Sequence, residues 1–211
     1  GYDRYFDDHA LHARMVYFQY FFERKGEGID DRSQMLNFNL QYGFKNRYIL
    51  SANAAYTGYQ KLVGDNQFEW FPVVSAAWVI SNEDFLSDVS GINYMKLRGS
   101  YGKMGYLFDD NYYGRTIWDR GGSLNFGVLG SVSSSGSTWI VTQTGNTELV
   151  WPTKVTTTVG LEGAFMDNKL YAQFDLYQND VTGTIRNPYA YYSAMLGYNS
   201  FLPYENLEGT Q

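Results

Sequence analysis

Apolar and polar residues alternate with a period of two along much of this chain. Met35 to Tyr42 reads Met-Leu-Asn-Phe-Asn-Leu-Gln-Tyr, so Leu36, Phe38, Leu40 and Tyr42 share one side while Asn37, Asn39 and Gln41 share the other. That alternation is the signature of a strand with two unlike faces. Tyr48 to Tyr56 repeats it less strictly, with Leu50, Ala52 and Ala54 opposite Ser51 and Asn53. Lys154 to Phe165 sets Val155, Val159, Leu161 and Phe165 against Lys154, Thr156, Thr158 and Glu162, and Leu170 to Tyr177 sets Leu170, Ala172, Phe174 and Leu176 against Gln173 and Asp175. The last two segments form a predicted hairpin. Its connection is Met166-Asp167-Asn168-Lys169, where Asp and Asn tolerate the positive φ of a type I′ turn, and that register pairs Phe165 with Leu170. Leu11 to Phe21, Val73 to Ile80 and Tyr94 to Gly102 bring the predicted strands to seven. No segment carries a 3.6-residue stripe, so the expected fold is all-β and antiparallel.

The connections alternate in length. Glu23 to Ser33 is long, Gly43 to Arg47 short, Thr57 to Phe71 long, Ser81 to Asn93 intermediate, Tyr106 to Pro152 very long and Asp167-Asn168 minimal. Short turns at one end and long loops at the other are the layout of a transmembrane barrel, with 106–152 as a long extracellular loop. About 10 residues at roughly 3.3 Å each, tilted ~45°, rise about 23 Å, close to the apolar band of such barrels. Aromatic residues gather at strand ends, and Tyr42, Tyr48, Trp70, Phe71, Trp78 and Trp151 are the membrane-girdle candidates. The polar face is mostly Asn, Gln, Ser and Thr, which suits a water-filled or plugged lumen. A soluble or surface-attached β-sandwich that binds glycans is the alternative, its apolar face then being a closed core.

Composition narrows the chemistry. The 211 residues hold 16 Lys+Arg and 22 Asp+Glu, a net charge of −6, which disfavours nucleic acid as a partner. Cysteine is absent, which removes disulfides and thiolate chemistry. No run approaches the ~18 apolar residues of a membrane helix. The two histidines, His9 and His12, are spaced so that a strand points them to opposite faces, a poor chelate. The acidic pairs Asp7-Asp8, Asp30-Asp31 and Asp109-Asp110 match no calcium-loop spacing. Glu162 and Asp175 could be written as a glycosidase pair, but no third group supports them. No enzyme activity, metal or cofactor is expected. The chain opens on Gly-Tyr-Asp-Arg-Tyr without Met or targeting segment, so a fragment is expected.

Four ordered motifs carry a resemblance. Asn46-Arg47-Tyr48-Ile49-Leu50 is followed by Phe71-Pro72-Val73-Val74-Ser75-Ala76-Ala77-Trp78-Val79-Ile80-Ser81-Asn82-Glu83, then by Leu97-Arg98-Gly99-Ser100-Tyr101-Gly102-Lys103-Met104-Gly105. Gly145-Asn146-Thr147-Glu148-Leu149-Val150-Trp151-Pro152-Thr153-Lys154 leads into Val159-Gly160-Leu161-Glu162. In that order and spacing they resemble the barrel of SusC/RagA-type TonB-dependent transporters, from about Asp31 to Asp180. Pro152 and Ala77 depart from the usual acidic residue and glycine without breaking the order.

The resemblance implies a plugged barrel of about 22 strands, of which seven are a minority, since even the smallest barrels need about 8. It implies that the plug domain and TonB box lie outside this chain. It further implies active import of large nutrients, oligosaccharides or peptides, across the outer membrane of a Bacteroidetes-type bacterium. A SusD-like surface lipoprotein would act as lid, the TonB complex would couple energy through the missing N-terminal part, and transporter-lid units would pair as dimers.

Aromatic rings in the long loops, Tyr112, Tyr113, Trp118 and Trp139, are the substrate-contact candidates, because sugar rings stack on flat apolar faces. Packing of loop against loop is the other role open to them. Asn39, Lys96, Arg98, Glu162 and Asp175 form a second candidate surface, facing the lumen or holding the plug.

Overall fold

In a computed structural model, which describes residues 1–23, 30–86, 89–106, 112–126, 134–188 and 202–207, the chain is a long antiparallel meander. Its strands are β1 (Tyr2–Phe6), β2 (His9–Phe22), β3 (Asp31–Phe44), β4 (Tyr48–Tyr59), β5 (Phe68–Val79), β6 (Ile92–Gly105), β7 (Ile117–Phe126), β8 (Ser134–Gln143), β9 (Thr153–Phe165), β10 (Leu170–Thr182), β11 (Ile185–Arg186) and β12 (Glu205–Asn206). Eight of them make one sheet in the order β1-β2-β3-β4-β5-β6-β9-β10. β7 and β8 form a separate two-stranded ribbon inserted between β6 and β9, and β11 pairs with β12. No described helix is long and apolar enough to cross a membrane.

All seven expected strands are present, and their long members run 12 to 14 residues rather than about 10. At roughly 3.3 Å per residue and ~45° of tilt such strands rise about 28 to 33 Å, so they project beyond a ~25 Å apolar band. β1 escaped the period-two pattern because it is only five residues long. The long segment 106–152 is not plain loop, since it holds the β7–β8 ribbon. Asp109-Asp110 lie outside the described residues.

Turn chemistry fixes the register. Phe165 pairs with Leu170, and the amide of Lys169 donates to the Met166 carbonyl across Asp167 and Asn168, at φ 56° and 62°. The β3–β4 turn uses the same device: the Arg47 amide reaches the Phe44 carbonyl across Lys45 and Asn46, at φ 54° and 53°. Positive φ at both central residues is the type I′ requirement, and its twist matches that of the strands. The connections β1–β2, β3–β4, β5–β6 and β9–β10 fall at one end of the sheet, and the long ones at the other.

The two faces follow from register. On one, Met15, Phe38, Ala54, Pro72 and their row neighbours give way toward β10 to Leu97, Leu161 and Phe174. This face is apolar and uncovered: Phe174 is 64% and Leu176 62% exposed, and Leu40 and Leu50 are exposed as well. Among the described residues no second sheet packs on it, whereas a sandwich would close its apolar face. The opposite face carries Gln41, Ser51, Ser75, Ser100 and Thr158 in one row. β2 is the exception, placing Val16, Phe18 and Tyr20 on that polar side, where they are exposed. A small closed core sits at the long-loop end, built from Leu62, Phe71, Tyr113, Leu149 and Trp151.

Candidate functional site

On the polar face, β6, β9 and β10 bring four charged residues together. Register aligns Lys96 with Glu162 and Gln173, and Arg98 with Gly160 and Asp175. Arg98 Nη2 donates to both Asp175 oxygens, at 2.8 and 2.9 Å, reaching across β9. It can do so because Gly160 has no side chain: a Cβ there would collide with Asp175 Oδ1. Lys96 Nζ pairs with Glu162, the Tyr94 hydroxyl donates to the same carboxylate at 3.4 Å, and Gln173 Nε2 donates to Asp175 Oδ2 at 2.6 Å. Arg98 Nε is buried 3.9 Å from Glu162 Oε2 without a hydrogen bond. Two cations thus meet two carboxylates. The charges are compensated in pairs, as in a polar binding wall, and the two carboxylates are each engaged by a cation rather than poised for acid–base work. Asn39 shares the face but not the cluster, lying on β3 opposite Asn53. A shallow depression lined by Ser51, Ser75, Ser100 and Thr158 adjoins Lys96 and Arg98.

A second cluster lies at the short-turn end. Glu83 Oε1 accepts from the Tyr48 hydroxyl at 2.6 Å and from Trp78 Nε1 at 2.9 Å, while Oε2 accepts from Arg47 Nη1 at 3.0 Å. Arg47 Nη2 also donates to Asp84 at 2.7 Å, and Asn82 Nδ2 donates to the Asn46 carbonyl at 2.8 Å. The first two motifs therefore interlock, with Asn46-Arg47-Tyr48 on one turn and Trp78 to Glu83 on the next. Sequence reasoning placed Tyr48 and Trp78 in the girdle and missed Glu83, although the motif that contains it was in view.

The Tyr48 hydroxyl, then the Trp78 indole N–H, hold the Glu83 carboxyl below the ordinary glutamate range, with Arg47 assisting and burial opposing. A carboxylate depressed in the folded state adds stability above its unfolded pKa of about 4.3 and loses it as pH falls through the folded value. Glu83→Gln in the whole receptor is expected to lower the thermal unfolding midpoint at pH 7. That deficit should shrink as both proteins are titrated below about pH 4. A deficit unchanged between pH 7 and pH 3.5 would sink this account of the clamp.

At the long-loop end the four aromatic candidates separate. Tyr113 is 4% exposed, its ring edge-on to Tyr204, and Tyr112 is also buried, its hydroxyl on the Asp30 carbonyl at 3.4 Å. Their rings pack the loop base and present no open face. Trp118 and Trp139 stand on the β7–β8 ribbon, 60% and 62% exposed. Pairing of Trp118 with Val141 and of Arg120 with Trp139 puts both indoles on one ribbon face with Arg120 between.

Two girdle candidates also move. Phe71 and Trp151 are buried against each other, ring centroids 5.4 Å apart at 74°, and Trp151 Nε1 donates to the Gln67 carbonyl at 3.1 Å. They belong to the closed core because adjacent strand residues face opposite ways: Trp70 takes the apolar face beside Tyr56, at 4.8 Å, and sends Phe71 inward. His9 and His12 do point to opposite faces, His9 pairing with Phe44 and His12 with Gln41. Among the described residues no group of three His, Cys, Asp or Glu side chains could hold a metal.

No family model matches the chain. It is similar to TonB-dependent receptor P26 of Formosa agariphila, 28% identical over 138 residues that make up 65% of this chain and 13% of that protein. It is also similar to TonB-dependent receptor SusC of Bacteroides thetaiotaomicron, 25% identical over 158 residues, 71% of this chain and 15% of that one. The chain thus spans about an eighth to a seventh of the curated relatives it matches. Among solved structures, the RagAB peptide transporter superposes on 99% of the chain and 25% of its own, at 19% identity and a TM-score of 0.78. The 'open-open' state of the RagAB peptide importer superposes with a TM-score of 0.75. Sequence similarity to these proteins covers about two thirds of the chain, the structural likeness nearly all of it, and the fold is that of an antiparallel stretch of transmembrane β-barrel.

Proposed function

We infer that this chain, similar in sequence to SusC-type TonB-dependent receptors and in fold to a stretch of the RagAB barrel, is wall from an outer-membrane importer of large nutrients. One observation supports this above the others: a continuous sheet keeps an uncovered apolar face and an ion-paired polar face, with short turns at one end only. Lipid takes the first face and the lumen the second. The wall performs no bond chemistry, and the protein acts as transporter rather than enzyme. Import is driven through TonB, and a SusD-like lipoprotein closes the long-loop side. The lumenal residues Lys96, Arg98, Glu162 and Asp175 serve as a polar wall for plug or cargo, with Asn39 on the same side.

The finer assignment concerns the β7–β8 ribbon, whose two indoles and Arg120 offer flat apolar faces beside a hydrogen-bond donor. An oligosaccharide or peptide would stack there as it enters. Trp118→Ala with Trp139→Ala in the intact transporter is expected to weaken cargo binding roughly tenfold or more, with barrel assembly unchanged. Titration against a panel of oligosaccharides and peptides measures this. Undiminished binding of the cargo that the unaltered receptor takes up would remove the ribbon from the cargo path.

A further inference from the structure

The apolar face carries at its short-turn end an unbroken row of five rings on five strands: Phe6, His9, Phe44, Tyr48 and Trp78, each the register partner of the next. His9 stacks on Phe6 at 4.9 Å and lies 4.9 Å from Phe44, Phe44 lies 6.5 Å from Tyr48, and Tyr48 6.5 Å from Trp78. Tyr42 braces the row, its hydroxyl 2.6 Å from His9 Nδ1.

Two cations stand over this row. Arg4 shares the apolar face, being the partner of Leu11, and its guanidinium lies 5.6 Å from the Phe6 ring centre. Among the described residues it makes no ion pair. A charge on a lipid-facing strand is costly at mid-depth and tolerable near the interface, so its stem lies along the apolar surface while its head reaches the polar layer. Lys45 Nζ lies 5.5 Å from the Phe44 ring centre, and its backbone amide donates to the Asp8 carbonyl at 2.7 Å, locking the β1–β2 turn to the β3–β4 turn. Asp8 Oδ2 lies 3.7 Å from Lys45 Nζ, with both side chains open to solvent, and Asp7 adjoins it at φ 48°.

We propose that this corner binds one phospholipid headgroup of the phosphoethanolamine type. Arg4 and Lys45 hold the phosphate, Asp8 and Asp7 take the primary ammonium, and the acyl chains lie on Leu11, Met15 and Leu40. Charge complementarity selects the occupant. Two cations beside two carboxylates match a zwitterion, and a headgroup without an ammonium leaves the aspartates facing a phosphate. The proposal rests on the membrane assignment above.

Native mass spectrometry of the whole receptor, released from bilayers of phosphatidylethanolamine and phosphatidylglycerol, tests it. The unaltered protein is expected to retain phosphatidylethanolamine well above its supplied share. In Arg4→Gln with Lys45→Gln the retained lipid should fall by roughly tenfold. In Asp7→Asn with Asp8→Asn, lipid is kept but the preference for ethanolamine is lost. Retention that ignores the first pair of substitutions, or a preference for phosphatidylglycerol in the unaltered protein, overturns the proposal while leaving the membrane assignment intact. Recovery of the unaltered receptor outside the bilayer overturns both. Should the first double variant fail to assemble, the lipid preference of the unaltered protein decides alone.

Discussion

Phe174→Lys is expected to block assembly of the receptor into the outer membrane, whereas Gln173→Lys, one residue away, is expected to leave it intact. Phe174 pairs with Leu161, five residues into a 13-residue strand, and is 64% exposed on the apolar face. A lysine near the bilayer midplane on a lipid-facing strand costs about 2 to 4 kcal/mol, and less toward the interfaces. Gln173 pairs with Glu162 and donates to Asp175, so an ammonium there meets carboxylates and lumenal water. The contrast between neighbours carries the information, because overall charge changes equally in both variants while the residues face opposite sides of the sheet. Heat-modifiable migration on gels, read in outer-membrane fractions, gives the outcome. Equal assembly of the two would mean that neither face meets lipid.

That alternation was legible because a strand repeats every two residues, so one glance along Leu36, Phe38 and Leu40 assigns a face to a whole strand. The Asp167-Asn168 turn was legible for a similar reason: few residues accept positive φ, and two in a row between alternating runs leave one turn type. β1 and the β7–β8 ribbon were not. Tyr2–Phe6 is too short to establish a period, and Ile117-Trp118-Asp119-Arg120-Gly121-Gly122 mixes charge and glycine without one. Their strands exist through partners, not through their own pattern.

The site shows the same division. Lys96, Arg98, Glu162 and Asp175 could be placed on one face from parity alone, and register then brought them into contact. The Glu83 clamp could not be foreseen from parity, because Arg47 and Glu83 are 36 residues apart in turns that carry no strand period. Both motifs were in view without a role for Glu83, and geometry shows what they do. They staple two consecutive short turns, β3–β4 and β5–β6.

Trp151→Ala is expected to cost about 3 to 5 kcal/mol, the range for removing a large aromatic from a packed core. The indole is buried with Phe71, Leu62, Tyr113 and Leu149, and its N–H closes on the Gln67 carbonyl, so truncation opens a cavity and strips a carbonyl of its donor. These partners come from β5, from the β4–β5 connection and from both ends of the long insertion, so the ring pins three loop segments to the barrel rim. The loss should therefore be local. Hydrogen exchange in the whole receptor is expected to accelerate at residues 60–67, 112–116 and 145–151, while the paired interiors of β3, β4 and β9 keep their protection. Trp151→Phe, which keeps most of the packing and loses the hydrogen bond, should show a smaller acceleration, near 1 kcal/mol of local opening. A residue sitting in a lipid-facing girdle would give a different pattern, with Trp151→Ala leaving the loops as protected as before. Such a result would return Trp151 to the girdle, and would mean that the rim holds the ribbon by contacts other than this core.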